Sequence, residues 1–104
     1  MALIFDLETD GLLDTVSKIH CLVIKDTDTD EVFTYRSGFP YELEEGIDHL
    51  LSGSLVVGHN VIKYDIPVIE KLYKVSFDHT KVFDTLVATR VIWAAIRETD
   101  SLRI

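Results

Sequence analysis

The stretch Ile4-Phe5-Asp6-Leu7-Glu8 constrains this chain most, because an apolar run from Ala2 to Phe5 passes straight into two carboxylates two residues apart. The apolar run predicts a short buried strand. Side chains alternate across a strand, so Asp6 and Glu8 project from one face. At a rise of about 3.3 Å per residue, their Cα atoms lie about 6.6 Å apart. Two carboxylates at that spacing can ligate one divalent ion, or share two ions about 3.5–4 Å apart. Unpaired acids on a strand built for a core are costly, and a hard cation is the usual remedy.

The 104 residues fit one domain with a real core. Hydrophobic residues make up 47% and charged residues 27%, which excludes a disordered chain. No apolar run approaches a membrane span, and the N-terminus lacks the layout of a signal peptide. The single cysteine, Cys21, cannot form an internal disulfide and fits a reducing, cytosolic setting. A net charge of −8 argues against a long basic groove for nucleic acid. It leaves room for a small contact with a phosphodiester bridged by cations, because bound ions reverse the local field.

Along the chain, residues 12–17 read as a turn, and 18–25 and 31–36 read as strands joined through the polar run Asp26-Thr27-Asp28-Thr29-Asp30. The alternate aspartates invite a calcium-loop reading. They fail it, because such a loop counted from Asp26 needs Gly at Glu31 and Glu at Ser37. A hairpin turn is the better account. Residues 40–51 predict an amphipathic helix with Leu43, Ile47, Leu50 and Leu51 inward and Gly53 as its stop. Residues 54–58 predict a buried strand, and His59-Asn60 a turn. A second helix is expected over 64–74, with Pro67 in its first turn and Ile66, Ile69 and Tyr73 buried. Val82-Phe83 is a brief strand, Asp84 a helix cap, and 85–97 a third helix. The order β-β-β-α-β-α-β-α predicts an α/β fold: a mixed sheet, antiparallel at first, with helices on its faces.

Gly58-His59-Asn60-Val61-Ile62-Lys63-Tyr64-Asp65 lies between a strand and a helix, where sites in open α/β sheets gather. Asp65 at a helix start would sit in the positive end of the macrodipole, favouring its ionised form. The plainer account makes Asp65 a cap and Asn60 a turn residue. The pairing with Asp6 and Glu8 tips the balance toward a site. Of the histidines, His20 falls in a strand as a core or edge residue, His49 on a polar helix face and His79 in a loop, while His59 reads as structural.

The segments Asp-Leu-Glu-Thr-Asp-Gly at 6–11, Gly-His-Asn-x-x-Lys-Tyr-Asp at 58–65 and Phe-Asp-Thr-Leu at 83–86 resemble the proofreading 3′–5′ exonuclease (DEDD) domain of family A DNA polymerases. The likeness is greatest to phage replicative enzymes and covers nearly the whole chain. It implies an RNase H-like fold and two-ion hydrolysis of a phosphodiester with Mg²⁺ or Mn²⁺. Asp6 would bridge both ions, Glu8 would complete the one that activates water, and Asp65 would hold the one beside the leaving oxygen. Thr9, Leu12, Asn60 and Tyr64 would bind substrate, with Leu12 as the apolar wedge against the terminal base. The partner implied is single-stranded or 3′-end DNA, in the cytoplasm of a bacterial or phage-infected cell.

The family uses a fourth carboxylate with a Tyr four residues before it, and no Tyr-x-x-x-Asp follows Asp65 here. The expectation is therefore a C-terminally truncated domain with one ion incompletely ligated, cleaving slowly by itself. It would be completed by a polymerase chain or by the remainder of a split enzyme. Asp84 does not substitute, since the family carries a similar Asp in addition, and Asp100 is expected to fray near the chain end. The apolar third helix, with Val91, Ile92, Trp93 and Ile96, favours self-association or a partner. Two other functions stand beside the exonuclease: a catalytically silent module that binds DNA or a polymerase, and, more distantly, a small-molecule hydrolase.

Overall fold

The computed structural model describes residues 2–38 and 42–101, with side chains as far as Ile96. Five strands form one sheet in the order β3-β2-β1-β4-β5. The strands are β1 (Ala2–Thr9), β2 (Ile19–Asp26), β3 (Val32–Arg36), β4 (Leu55–Gly58) and β5 (Val82–Asp84). β1 pairs antiparallel with β2 and parallel with β4, so the expected mixed sheet is present. The helices are α1 (Glu42–Leu51), α2 (Ile66–Tyr73) and α3 (Thr85–Ser101). The expected start of α1 at Pro40 and the side chain of Asp100 lie outside the described residues.

β1 is an alternating strand and not the buried run expected of it. Leu3, Phe5 and Leu7 are buried, while Ile4, Asp6 and Glu8 face the other way and are exposed. The inward set joins Leu22 and Ile24 of β2, Ile47 and Leu50 of α1, and Ile66 and Ile69 of α2 in one core. Leu51 was expected in that core but is exposed, because the apolar stripe of α1 runs through Leu43, Ile47 and Leu50. On the opposite face, Ile4 pairs in register with Val57 and Val57 with Phe83, and both Ile4 and Phe83 are exposed. Asp6 and Glu8 therefore incur no burial cost on β1, contrary to the sequence expectation.

The β2–β3 connection is the hairpin expected of the aspartate run. Asp26 N–H donates to Glu31 O at 2.9 Å, Asp28 N–H donates to the Asp26 carboxylate at 2.9 Å, and Asp30 takes the left-handed conformation with φ 64°. At the other end of β2 the register slips, Glu8 pairing with Cys21 and Thr9 with Ile19. His20 is the extra residue of this bulge, so Ile19 turns into the core and His20 is exposed. His49, expected on a polar face, is instead half-buried: its Nδ1 bonds the Tyr35 hydroxyl at 2.9 Å and its ring meets Phe33 edge-on. The Tyr35 ring lies so close over Gly46 that a Cβ there would come within 2.6 Å of it.

Candidate active site

β4 accompanies β1 only as far as Ile4, which pairs with Val57. Beyond that point the edge of β1 that carries Asp6, Leu7 and Glu8 is free of strand pairing on the β4 side, and the segment from Gly58 onward comes up against it. Gly58 is required at this approach: a Cβ there would meet Val61 Cγ1 at 2.2 Å and the Phe5 carbonyl oxygen at 3.1 Å.

The turn after β4 is built by two devices. Asn60 takes φ 60°, ψ 28°, a left-handed conformation that Asn tolerates, as the turn reading expects. Residues Val61–Asp65 then form a π-helical turn, closed by Ile66 N–H on Val61 O, which runs directly into α2. Single π turns are rare and recur at functional sites. Helix α2 thus begins at Ile66 and not at 64, with Pro67 in its first turn as expected, and Lys74 caps its end at φ 55°.

Because the chain is already helical before α2, Asp65 does not cap a free helix terminus and its side chain makes no capping hydrogen bond. Asp65 is 6% exposed, and its Oδ2 is buried with no hydrogen-bond partner. Burial first, and the charge of Asp6 second, push its pKa up to about 7, against the pull of the Leu7 backbone N–H. The macrodipole expectation for Asp65 is therefore overturned: desolvation and a like charge outweigh any helix-end field.

Asp84 caps α3 as the sequence suggests, its Oδ1 accepting Leu86 N–H at 2.9 Å and Val87 N–H at 3.4 Å. The same carboxylate reaches back to the turn, Oδ1 accepting Asn60 N–H at 2.9 Å and Oδ2 accepting Ile62 N–H at 3.0 Å. Burial alone would raise this carboxyl, yet these N–H groups hold it below the usual range. Sequence reasoning missed this second hold. The available signal was a small acid at the end of a strand neighbouring the strand before the turn.

The loop after β1 is fastened from several sides. Asp10 accepts Ser17 N–H at 3.0 Å and Lys18 N–H at 3.1 Å, and its bonds to Ser17 lower its carboxyl to about 2. Lys71 of α2 donates to Leu13 O at 3.0 Å. The Tyr64 hydroxyl donates to Gly11 O and bonds the Thr9 hydroxyl, which itself donates to Gly11 O at 3.0 Å. Thr9 and Tyr64 are thus brought together, and Leu12, at the tip, stands 77% exposed.

Asp6 also lines a cleft of about 520 Å³ with Ile4, Val57, Gly58, His59 and Thr85. His59 is fixed there by a 3.0 Å bond from its Nδ1 to Thr85 Oγ1. Among the described residues no three His, Cys, Asp or Glu side chains stand close enough to form a metal-holding cluster. The Asp6–Asp65 pair carries the electrostatic signature, and Glu8 shares the exposed face of β1 with Asp6. An orphaned buried carboxylate oxygen beside a second carboxylate is the donor chemistry that suits a hard divalent cation.

A fold of this order and a site at the β1 edge define a class, and comparison with known proteins agrees. The RNase H superfamily model matches residues 3–102, and the chain belongs to that superfamily. The chain is 36% identical over 105 residues, 94% of its length, to the DNA-directed DNA polymerase of Escherichia phage T7. It is equally similar, 36% over 105 residues, to that of Enterobacteria phage T3. It spans 15% of each of these relatives. Among solved structures, the family B DNA polymerase of Pyrobaculum calidifontis is similar at a TM-score of 0.51 and 21% identity, covering 70% of this chain and 11% of that one, a likeness of fold. The resemblance to phage polymerases drawn from the three motifs is borne out.

Proposed function

We propose that this chain is the 3′–5′ exonuclease unit of a DNA polymerase, hydrolysing phosphodiesters at 3′ ends with divalent metal ions. The observation that carries the reading is the buried Asp65 Oδ2, unpartnered and near Asp6. Asp6 would serve both ions, Asp65 would hold the one beside the leaving oxygen, and Glu8, on the face of Asp6, would complete the one that activates water. When bound, Mg²⁺ or Mn²⁺ supplies a nucleophile at neutral pH and neutralises charge on the leaving oxygen. The chain's own residues do the placing, which is most of what phosphoryl transfer asks of a protein. Exposed Leu12 offers an apolar edge to the terminal base, and Tyr64, Thr9 and Asn60 hold the loop and turn that flank it.

The similarity to phage DNA polymerases supports 3′-end DNA as substrate, a polymerase as the larger setting and the cytoplasm of an infected or bacterial cell as the place. Among the described residues no helix is long and apolar enough to cross a membrane. The exposed Val91, Ile92, Trp93 and Ile96 of α3 suit a polymerase segment or a second copy of the chain. A second reading, a silent module that binds DNA or a polymerase, gains from the lack of a three-residue metal cluster among the described residues. Incubation with single-stranded and 3′-recessed DNA plus Mn²⁺ separates the two. Shortening from the 3′ end that is lost in Asp6→Ala supports the nuclease, and equal shortening in both proteins discards it.

A further inference from the structure

One carboxylate serves two elements that otherwise have separate tasks. Asp84 is 5% exposed and accepts N–H groups from Asn60 and Ile62 on one side and from Leu86 and Val87 on the other. Ile62 lies inside the π-helical turn that ends at Asp65, and Leu86 and Val87 lie in the first turn of α3. Burying a charge is tolerated only when donors satisfy it, and here the donors are all backbone groups of these two segments. A surface cap needs only the α3 side. The bonds to Asn60 and Ile62 do nothing for the helix and fix where the turn stands.

We propose that Asp84 is a positioning residue of the site: it sets the turn that presents Tyr64 and Asp65 to the β1 edge, and joins that turn to α3. The assignment rests on the nuclease reading for what Asp65 does, and it explains a carboxylate that the chemistry itself does not use. Groups that orient ligands from behind commonly govern metal affinity about 10- to 100-fold. It follows that whatever holds α3 along its apolar face also bears on Asp65, because the turn and the helix share the Oδ1 of Asp84.

The test compares Mn²⁺ affinity in the wild-type chain, Asp84→Asn and Leu50→Ala, each checked for folding by circular dichroism. An amide offers one acceptor oxygen where the carboxylate offers two, so Asp84→Asn loses the bonds of one oxygen, to Ile62 or to Asn60, and frees part of the turn while keeping the side chain's size. The expected result is Mn²⁺ binding about tenfold weaker in Asp84→Asn and unchanged in folded Leu50→Ala, whose lesion is confined to the core. Wild-type affinity in folded Asp84→Asn overturns the assignment. Should that variant not fold, amide hydrogen exchange on the wild-type chain decides. Mn²⁺ should slow exchange at Leu86 and Val87 together with Asn60 and Ile62, and protection confined to 60–65 overturns the link. A wild-type chain that binds no Mn²⁺ overturns the nuclease reading itself and takes this assignment with it, an outcome distinct from the others.

Discussion

The Tyr64 hydroxyl donates to the carbonyl of Gly11, 53 residues earlier, and so joins the turn that bears Asp65 to the loop that follows Asp6 and Glu8. Without it, the loop from Gly11 to Val16 still has the Thr9 hydroxyl on Gly11 O and its Asp10 and Lys71 fastenings, but loses its bond to the turn that bears Asp65.

Tyr64→Phe removes that hydroxyl and nothing else. The fold should survive with a loss of about 1–2 kcal/mol, the usual net worth of the two hydrogen bonds to Gly11 and Thr9 that go with it. Amide exchange should accelerate over residues 10–16 while the core of β1 and β2 stays protected. Uniform acceleration would mean that the tyrosine supports the whole domain and not the loop.

Asp65 makes stability depend on pH in the opposite sense to a salt-bridged acid. Its folded pKa, about 7, lies above the ordinary 3.8, so between these values the folded chain holds a proton that the unfolded chain has released. Stability should therefore fall as pH rises through this window and level off above it, by up to about 4 kcal/mol for a shift of this size. Asp65→Asn should flatten the profile, read as the urea midpoint between pH 4 and 8. A parallel slope in both proteins would remove Asp65 as its source.

Gly58→Ala forces a methyl into Val61 and the Phe5 carbonyl, at the point where the 58–65 segment meets β1. Overpacking of this kind costs about 1–3 kcal/mol. Thermal unfolding should show it, and Gly38→Ala, where no atom lies within 4 Å but φ is +95°, separates steric from conformational cost.

Much of this was legible in the chain because the signals were local. The shared face of Asp6 and Glu8, the aspartate hairpin, the Leu43–Ile47–Leu50 stripe and the capping Asp84 each depend on neighbours within a few residues. What was misread depends on the third dimension. The inward or outward sense of Asp6 depends on which face α1 and α2 cover, and the exposure of His20 on a bulge that only pairing reveals. The π-helical turn leaves no mark in composition. The raised carboxyl of Asp65 arises from burial against β1 and from Asp6, 59 positions away in number and adjacent in space.

In the proposed site, Asp6 and Asp65 together hold a divalent cation. Calorimetric titration of Mn²⁺ into the wild-type chain, Asp6→Asn and Asp65→Asn at pH 8 tests it most directly. Binding should be saturable in the wild type, at least tenfold weaker in either variant, and should release protons at pH 6.5, since the Asp65 carboxyl must ionise to ligate. Equal Mn²⁺ affinity in all three proteins would contradict it.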